Sequence, residues 1–412
     1  MAVATETAAR RGTSSRRALF WLSIAELLGM SLWFTGTAVI PDITKLWRAD
    51  LALGAWLTIA VQIGFSIGAI AFALFNIPDV FSPIKVFVLS ALLAAGANAA
   101  FAMFAAQPLT AILLRGATGF FLAGVYPVGM KIIAGWFQRG RGLALGVMIG
   151  ALTVGSAVPH AANAIGGIPW RGVVLLGSAQ AVIGALIVAF GVRQGPYAMP
   201  QSRFDPAQIL EIVRNRPLRL ANLGYLGHMW ELYSMWAWIP MIMAASAGWQ
   251  KTQYEAVAAL AIAIGAVGCI WAGAASDRLQ DQAASMRVAQ RARVTMIAMA
   301  VSAACCVLAA LVLHRPWLLV PLSLIWGIAV IADSAQFSTI ISEVSDKNYV
   351  GTALTCQVAL GFLLTAAVIR LMAYIHDLSG NWNWALASMA LGPLLGIWAM
   401  SGLLKNESAV RG

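Results

Sequence analysis

The chain carries little charge. Only 10% of its 412 residues are Asp, Glu, Lys or Arg, and 60% are hydrophobic, whereas a soluble domain has about 25% charged residues. This composition excludes a soluble globular protein. Histidine and cysteine are scarce too, with four of each. Cys269, Cys305, Cys306 and Cys356 lie inside apolar stretches without the paired spacing of a zinc site, so they read as small hydrophobes. The alternating ten-residue segments of a membrane barrel are missing, as is a P-loop for ATP. No metal or cofactor is expected. Without a nucleophile, a metal cluster or an appended soluble domain, the chain does not read as an enzyme.

Long hydrophobic runs take the place of those features. A helix needs ~20 apolar residues to cross a bilayer, and such runs lie near 19–41, 52–75, 84–105, 108–133, 142–164, 171–192, 218–244, 253–275, 294–313, 317–341, 350–373 and 383–404. These are spans 1 to 12, which put both termini on one side. The first run is too long and too hydrophobic for a cleaved signal, so Arg16 and Arg17 read as anchors holding its start in the cytoplasm.

The net charge of +11 follows from this topology. Nineteen of the 27 lysines and arginines fall on the side of the termini, five on the opposite side and three inside spans. The positive-inside rule then makes the termini cytoplasmic. The cations orient the chain, with some also expected at anionic lipid, so nucleic acid is not needed to explain them. Gly142, Gly146 and Gly150 recur every four residues, as a close helix contact requires.

The interior polar stretch 194–216, with Pro196, Pro200 and Pro206, divides the chain near its middle. Residues 1–18 are expected as a cytoplasmic tail, 19–193 as an N-terminal six-helix bundle, 194–216 as a linker, 217–404 as a second bundle and 405–412 as a tail. Within the linker, residues 205–214 read as a short amphipathic helix with Ile209, Ile212 and Val213 on one side.

The two halves resemble each other. Glu231, Leu232, Met235 and Trp238 in span 7 repeat the spacing of Glu26, Leu27, Met30 and Trp33 in span 1. Asp79 in the loop after span 2 corresponds to Asp277 after span 8, where Gly273, Asp277 and Arg278 read G-x-x-x-D-R. Arg115 and Gly119 add R-x-x-x-G in span 4, and residues 135–146 (GWFQRGRGLALG) lead into span 5. In these residues the chain resembles the major facilitator superfamily. The first copy of the loop motif departs from the pattern, with Phe75, Val80 and Ser82 in place of Gly, Arg and Gly. The resemblance implies an all-α membrane fold of twelve helices in two pseudo-symmetric bundles. It also implies a monomer, and a central cavity lined by spans 1, 4, 7 and 10 that opens alternately to each side.

Ionisable groups in hydrocarbon are costly and usually functional. His228 and Glu231 are three residues apart, which on a helix puts them on one face, about 5–6 Å apart at Cβ. Pairing with each other would hold both as ions and burial would favour both as neutral groups, a balance suited to proton exchange. Glu26 and Asp333 join them as proton-coupling candidates. Arg115, Lys131, Trp33, Tyr225, Trp230 and Tyr233 are candidates for contacting substrate, while Trp236 and Trp238 read as an outer aromatic belt. His160 and Asn163 in span 5 are lesser lining candidates. Asp79, Asp277 and Arg278 are expected to form a cytoplasmic latch, with Asp277 near a helix N-terminus where its charge is favoured.

The leading expectation is a proton-coupled transporter of a small organic solute in a bacterial inner membrane. Arg115 and Lys131 favour an anionic solute. The acidic residues and aromatic wall support the alternative, efflux of amphiphilic cations or drugs. A non-transporting membrane sensor is the alternative of another class.

Overall fold

The computed structural model describes residues 2–197, 205, 209–278, 281–346 and 350–410, and every regular element among them is helical. Span 1 starts in the helix Ala2–Met30, turns over residues 31–34 and resumes as Thr35–Ala38 and Ile40–Trp47. Spans 2 and 3 are Leu51–Leu74 and Pro83–Phe104, span 4 is Pro108–Leu122 with Tyr126–Ala134, and spans 5 and 6 are Arg141–Ile165 and Trp170–Gly191. The second half repeats the plan. Span 7 is Arg216–Ala247, span 8 is Lys251–Ala263 with Gly265–Asp277, and span 9 is Ala284–Val312. Span 10 is Pro316–Ala332 with Ser334–Val344, span 11 is Val350–Ser379, and span 12 is Asn383–Met389 with Leu391–Val410.

Ten of these are long and apolar enough to cross a membrane. The other two are spans 1 and 7, the pair with the repeated spacing. One is interrupted in its middle and the other carries His228 and Glu231.

Local chemistry sets many of the ends. Proline occupies the first turn of spans 3, 4 and 10, where its missing N–H costs nothing. Asp50 Oδ1 accepts from the Leu53 amide at 2.8 Å to cap span 2. Spans 5 and 7 stop at Gly166 and Gly248, whose φ values of 78° and 62° suit a residue without Cβ. In the linker, the helix Ile209–Arg214 buries Ile212 and leaves Ile209 and Val213 exposed. Residues 206–208 of the expected amphipathic helix lie outside the described residues.

The halves meet along two seams, span 5 against span 8 and span 2 against span 11. Small residues make the first seam close. A Cβ on Gly146 would lie 2.5 Å from the Cys269 carbonyl oxygen, and one on Gly273 would lie 2.5 Å from that of Gly142. The glycine repeat of span 5 thus has its partner in span 8, across the molecule's midline. At the second seam the Ser66 hydroxyl donates to the Ala359 carbonyl at 3.1 Å. Gly146→Val should force the seam apart and lower unfolding stability by about 1–3 kcal/mol, read by reversible denaturation in mixed micelles.

Candidate functional site

The break in span 1 organises the N-terminal half. The turn over residues 31–34 takes the Leu32 and Trp33 carbonyls out of the regular helical ladder, and an unpaired backbone group in hydrocarbon costs several kcal/mol. Arg115, fully buried in span 4, answers them. Its Nη2 donates to the Trp33 carbonyl at 2.6 Å, Nη1 to that of Leu32 at 3.1 Å, and Nε to that of Leu57 at 3.3 Å. Nη1 also reaches Asn98 Oδ1 at 2.8 Å and Thr35 Oγ1 at 3.0 Å. Asn98 then donates to the Val174 carbonyl and Ser178 Oγ of span 6, at 2.9 and 3.0 Å. Spans 1, 2, 3, 4 and 6 are tied through one guanidinium and one amide. Gly119, one turn further along span 4, lets span 2 approach so closely that a Cβ there would lie 2.1 Å from the Val61 carbonyl oxygen.

The repeated spacing has a structural counterpart. Glu26 and Glu231 are each buried inside their own bundle, against the same relative helices. Glu26 lies by Phe87, Gly129 and Met148 of spans 3, 4 and 5, with Oε2 only 2.6 Å from where a Gly129 Cβ would be. Glu231 faces spans 9 and 10, where Ser302 Oγ donates at 2.6 Å, Cys306 Sγ at 3.0 Å and Trp326 Nε1 completes the set. The two differ in satisfaction. Glu231 Oε1 has three donors, whereas neither oxygen of Glu26 has a hydrogen-bond partner.

His228 finds its partner elsewhere than expected. It shares a helix face with Glu231, but its Nδ1 lies 2.9 Å from Asp333 Oδ1. Asp333 sits at the break in span 10, which brings its carboxylate to His228, while Glu231 is held by its own three donors. The contact is electrostatic and poorly aligned, so both Asp333 oxygens and His228 Nε2 remain without hydrogen bonds. Tyr225 lies beside His228, with ring centroids 6.1 Å apart.

Trp33 and Tyr233 meet between the halves at 5.7 Å. Phe362 of span 11 touches both rings, at 5.2 Å from Trp33 and 5.0 Å from Tyr233. Phe34 and Phe65 extend the cluster. Trp236 and Trp238 are not a belt, since they are 0% and 1% exposed. Trp236 packs on Phe34, and Trp238 Nε1 donates to the Ile369 carbonyl at 3.2 Å. Span 7 is enclosed by its neighbours, so its indoles meet protein before lipid. Trp230 turns towards span 12, donating to the Ser388 carbonyl at 3.2 Å, and stands apart from the central group.

Lys131 forms an ion pair with Asp79 and donates to the Pro78 carbonyl at 3.2 Å, which places it with the loop after span 2. Asp277 reaches across the first seam. Its two oxygens accept from the amides of Gly142 and Leu143, both at 2.8 Å, in the first turn of span 5. Arg278 is exposed.

Two residues of this centre have no place in the sequence reading. Tyr126 lies just after the break in span 4, within electrostatic reach of Glu26, Cys269 and Tyr225. The Tyr-Pro pair at 126–127 inside an apolar run was its available signal. Glu255, buried in the outer half of span 8, accepts from Asn163 and pairs with His160. An acid inside the run 253–275 was the signal there.

Arg115→Ala should orphan the Trp33 carbonyl and one of two other acceptors, the Leu32 carbonyl or Asn98 Oδ1, which would be left to share the single Thr35 hydroxyl proton. The expected loss is about 2–6 kcal/mol, at about 1–3 kcal/mol per buried acceptor. Arg115→Lys should lose part of this, since an ammonium lacks the planar fork. Denaturant titration of both variants in mixed micelles measures the difference.

The geometry has close relatives. The chain superposes on a crystal structure of the nucleoside transporter NupG, an aspartate-to-alanine mutant, with a TM-score of 0.70 at 14% identity, covering 94% of this chain and 99% of that one. It superposes on a bacterial homologue of the human lysosomal transporter Spinster, inward-facing and occupied, with a TM-score of 0.67 at 15% identity, covering 95% and 96%. No curated protein sequence matches. Residues 21–369 match the description Major Facilitator Superfamily. With that match over most of its length and two six-helix bundles meeting at a buried centre, the chain belongs to the major facilitator superfamily and is a secondary transporter, not an enzyme.

Proposed function

We propose that the protein exchanges protons for a small organic cation by alternating access, in a bacterial inner membrane with its termini in the cytoplasm. One observation carries this reading. Glu26 is fully buried and neither oxygen has a hydrogen-bond donor. A carboxylate so placed has only a proton or a solute cation to answer its charge, and a site that takes either one but not both couples their movements. Tyr126 lies within electrostatic reach of Glu26, and Tyr225 of Tyr126, so the two add hydroxyl acceptors and aromatic surface near it.

The expectation of an anionic solute rested on Arg115 and Lys131. Arg115 is engaged by carbonyls, and Lys131 by Asp79. Neither is left to recognise an anion, and this moves the weight to the acids. Asp277, seated on the first turn of span 5, serves in this reading as the cytoplasmic latch, with favourable helix-dipole electrostatics.

The test is a thermal-shift series on detergent-purified protein with tetraphenylphosphonium and benzoate as probes. A ligand at 100 times its Kd adds about 2.7 kcal/mol. Stabilisation by the cation is expected, tightening by up to tenfold per unit rise in pH as the competing proton becomes scarcer, and lost in Glu26→Gln. Stabilisation by benzoate alone, or cation binding unchanged in Glu26→Gln, would overturn the reading.

A further inference from the structure

The first seam is closed by different chemistry at its two ends. On the face bearing the termini, Asp277 of one half meets backbone amides of the other. On the opposite face an acid meets a base. His160 of span 5 and Glu255 of span 8 are both 0% exposed, with Nδ1 and Oε2 2.6 Å apart. Asn163 Nδ2 donates to the second carboxylate oxygen at 3.1 Å and to the Ala38 carbonyl at 2.7 Å. Nε2 of His160 has no partner. The contact therefore joins the two bundles at a point where alternating access would separate them.

The remaining charged neighbours can be named. Tyr254 and Asp42 lie within electrostatic reach of each other, and Tyr254 of Glu255. Asp42 is paired with Lys251 at 2.6 Å nearer the surface. From spans 4 and 6, Arg115 and Arg171 direct their guanidinia to backbone carbonyls of spans 1, 2 and 3. Phe34 lies beside His160 at 6.4 Å between centroids.

We infer that His160 and Glu255 form a proton-binding site, which takes up one proton as the face opposite the termini closes and releases it as that face opens. The bond between Nδ1 and Oε2 needs a proton on its axis. A dry, closed seam favours the neutral pair, His160 doubly protonated with Glu255 ionised or its tautomer, because a single uncompensated charge there is costly. Once the seam opens, water reaches both groups. Hydration then removes the cost of an uncompensated carboxylate, and the proton held between the two groups can leave to solvent. Closing therefore captures a proton and opening releases it. The inference rests on the proposed alternating access, but not on the identity of the solute.

The experiment measures distances between spin labels on Ile165→Cys and Ala256→Cys, exposed positions at the outer ends of spans 5 and 8, in lipid nanodiscs from pH 5.5 to 8.5. The open-to-closed ratio should rise with pH, by up to tenfold per unit. Glu255→Gln should flatten that slope, while Glu255→Asp keeps it. Glu26→Gln should also keep it, since the central acid is a separate site. A wild-type ratio independent of pH, a seam that never separates, or a full slope in Glu255→Gln overturns the inference. So does a slope lost only in Glu26→Gln. If the slope behaves as expected but Glu26→Gln binds tetraphenylphosphonium like the wild type, the seam site stands and the proposed cation exchange fails.

Discussion

Everything in the N-terminal half depends on how five N–H groups of Arg115 are spent. In hydrocarbon each backbone carbonyl must have a donor, and a helix normally supplies its own. Span 1 does not, because it unwinds over residues 31–34. The guanidinium of span 4 supplies what the helix has lost, and Asn98 passes the tie on to span 6. The unwinding turns the rings of Trp33 and Phe34 towards the second half, where Tyr233 and Phe362 meet them. An intramembrane cation that looks like a substrate contact is here the splint of a broken helix.

The internal repeat shows how one local pattern comes to serve two ends. Glu26 and Glu231 sit at the same spacing from Met and Trp, and each lies within its own bundle. The second half surrounds its acid with a hydroxyl, a thiol and an indole. The first surrounds its acid with Phe87, Gly129 and Met148, none of which offers a donor to the carboxylate. A satisfied acid stitches helices together, whereas an unsatisfied one has an open place for a positive charge. The proposed function is built on that difference in neighbours.

The seams show the same economy. Close packing through Gly142, Gly146 and Gly273 brings the backbones of spans 5 and 8 together, so that polar groups at both ends meet across the midline. Asp277 finds amides and Glu255 finds an imidazole. Contacts made by small residues and a few hydrogen bonds part at modest cost, as the proposed alternating access requires.

Periodicity and charge bias determined a great deal without the tertiary structure. Twelve spans follow from the length of the apolar runs, because ~20 residues cover a bilayer. The likeness of the halves is legible because equivalent positions keep the same residue types. The closeness of span 5 to a partner is legible too, since only glycine permits it. What folding alone decided is which groups meet. Three-residue spacing puts His228 and Glu231 on one face, yet their partners come from spans 9 and 10, far away in sequence. Lys131 and Asp79, assigned to different tasks by their places along the chain, form one ion pair, and Trp236 and Trp238 are enclosed by helices where the sequence suggested lipid. Helix rotation and breaks set these pairings. They arise from packing among all twelve spans, which no single apolar run records.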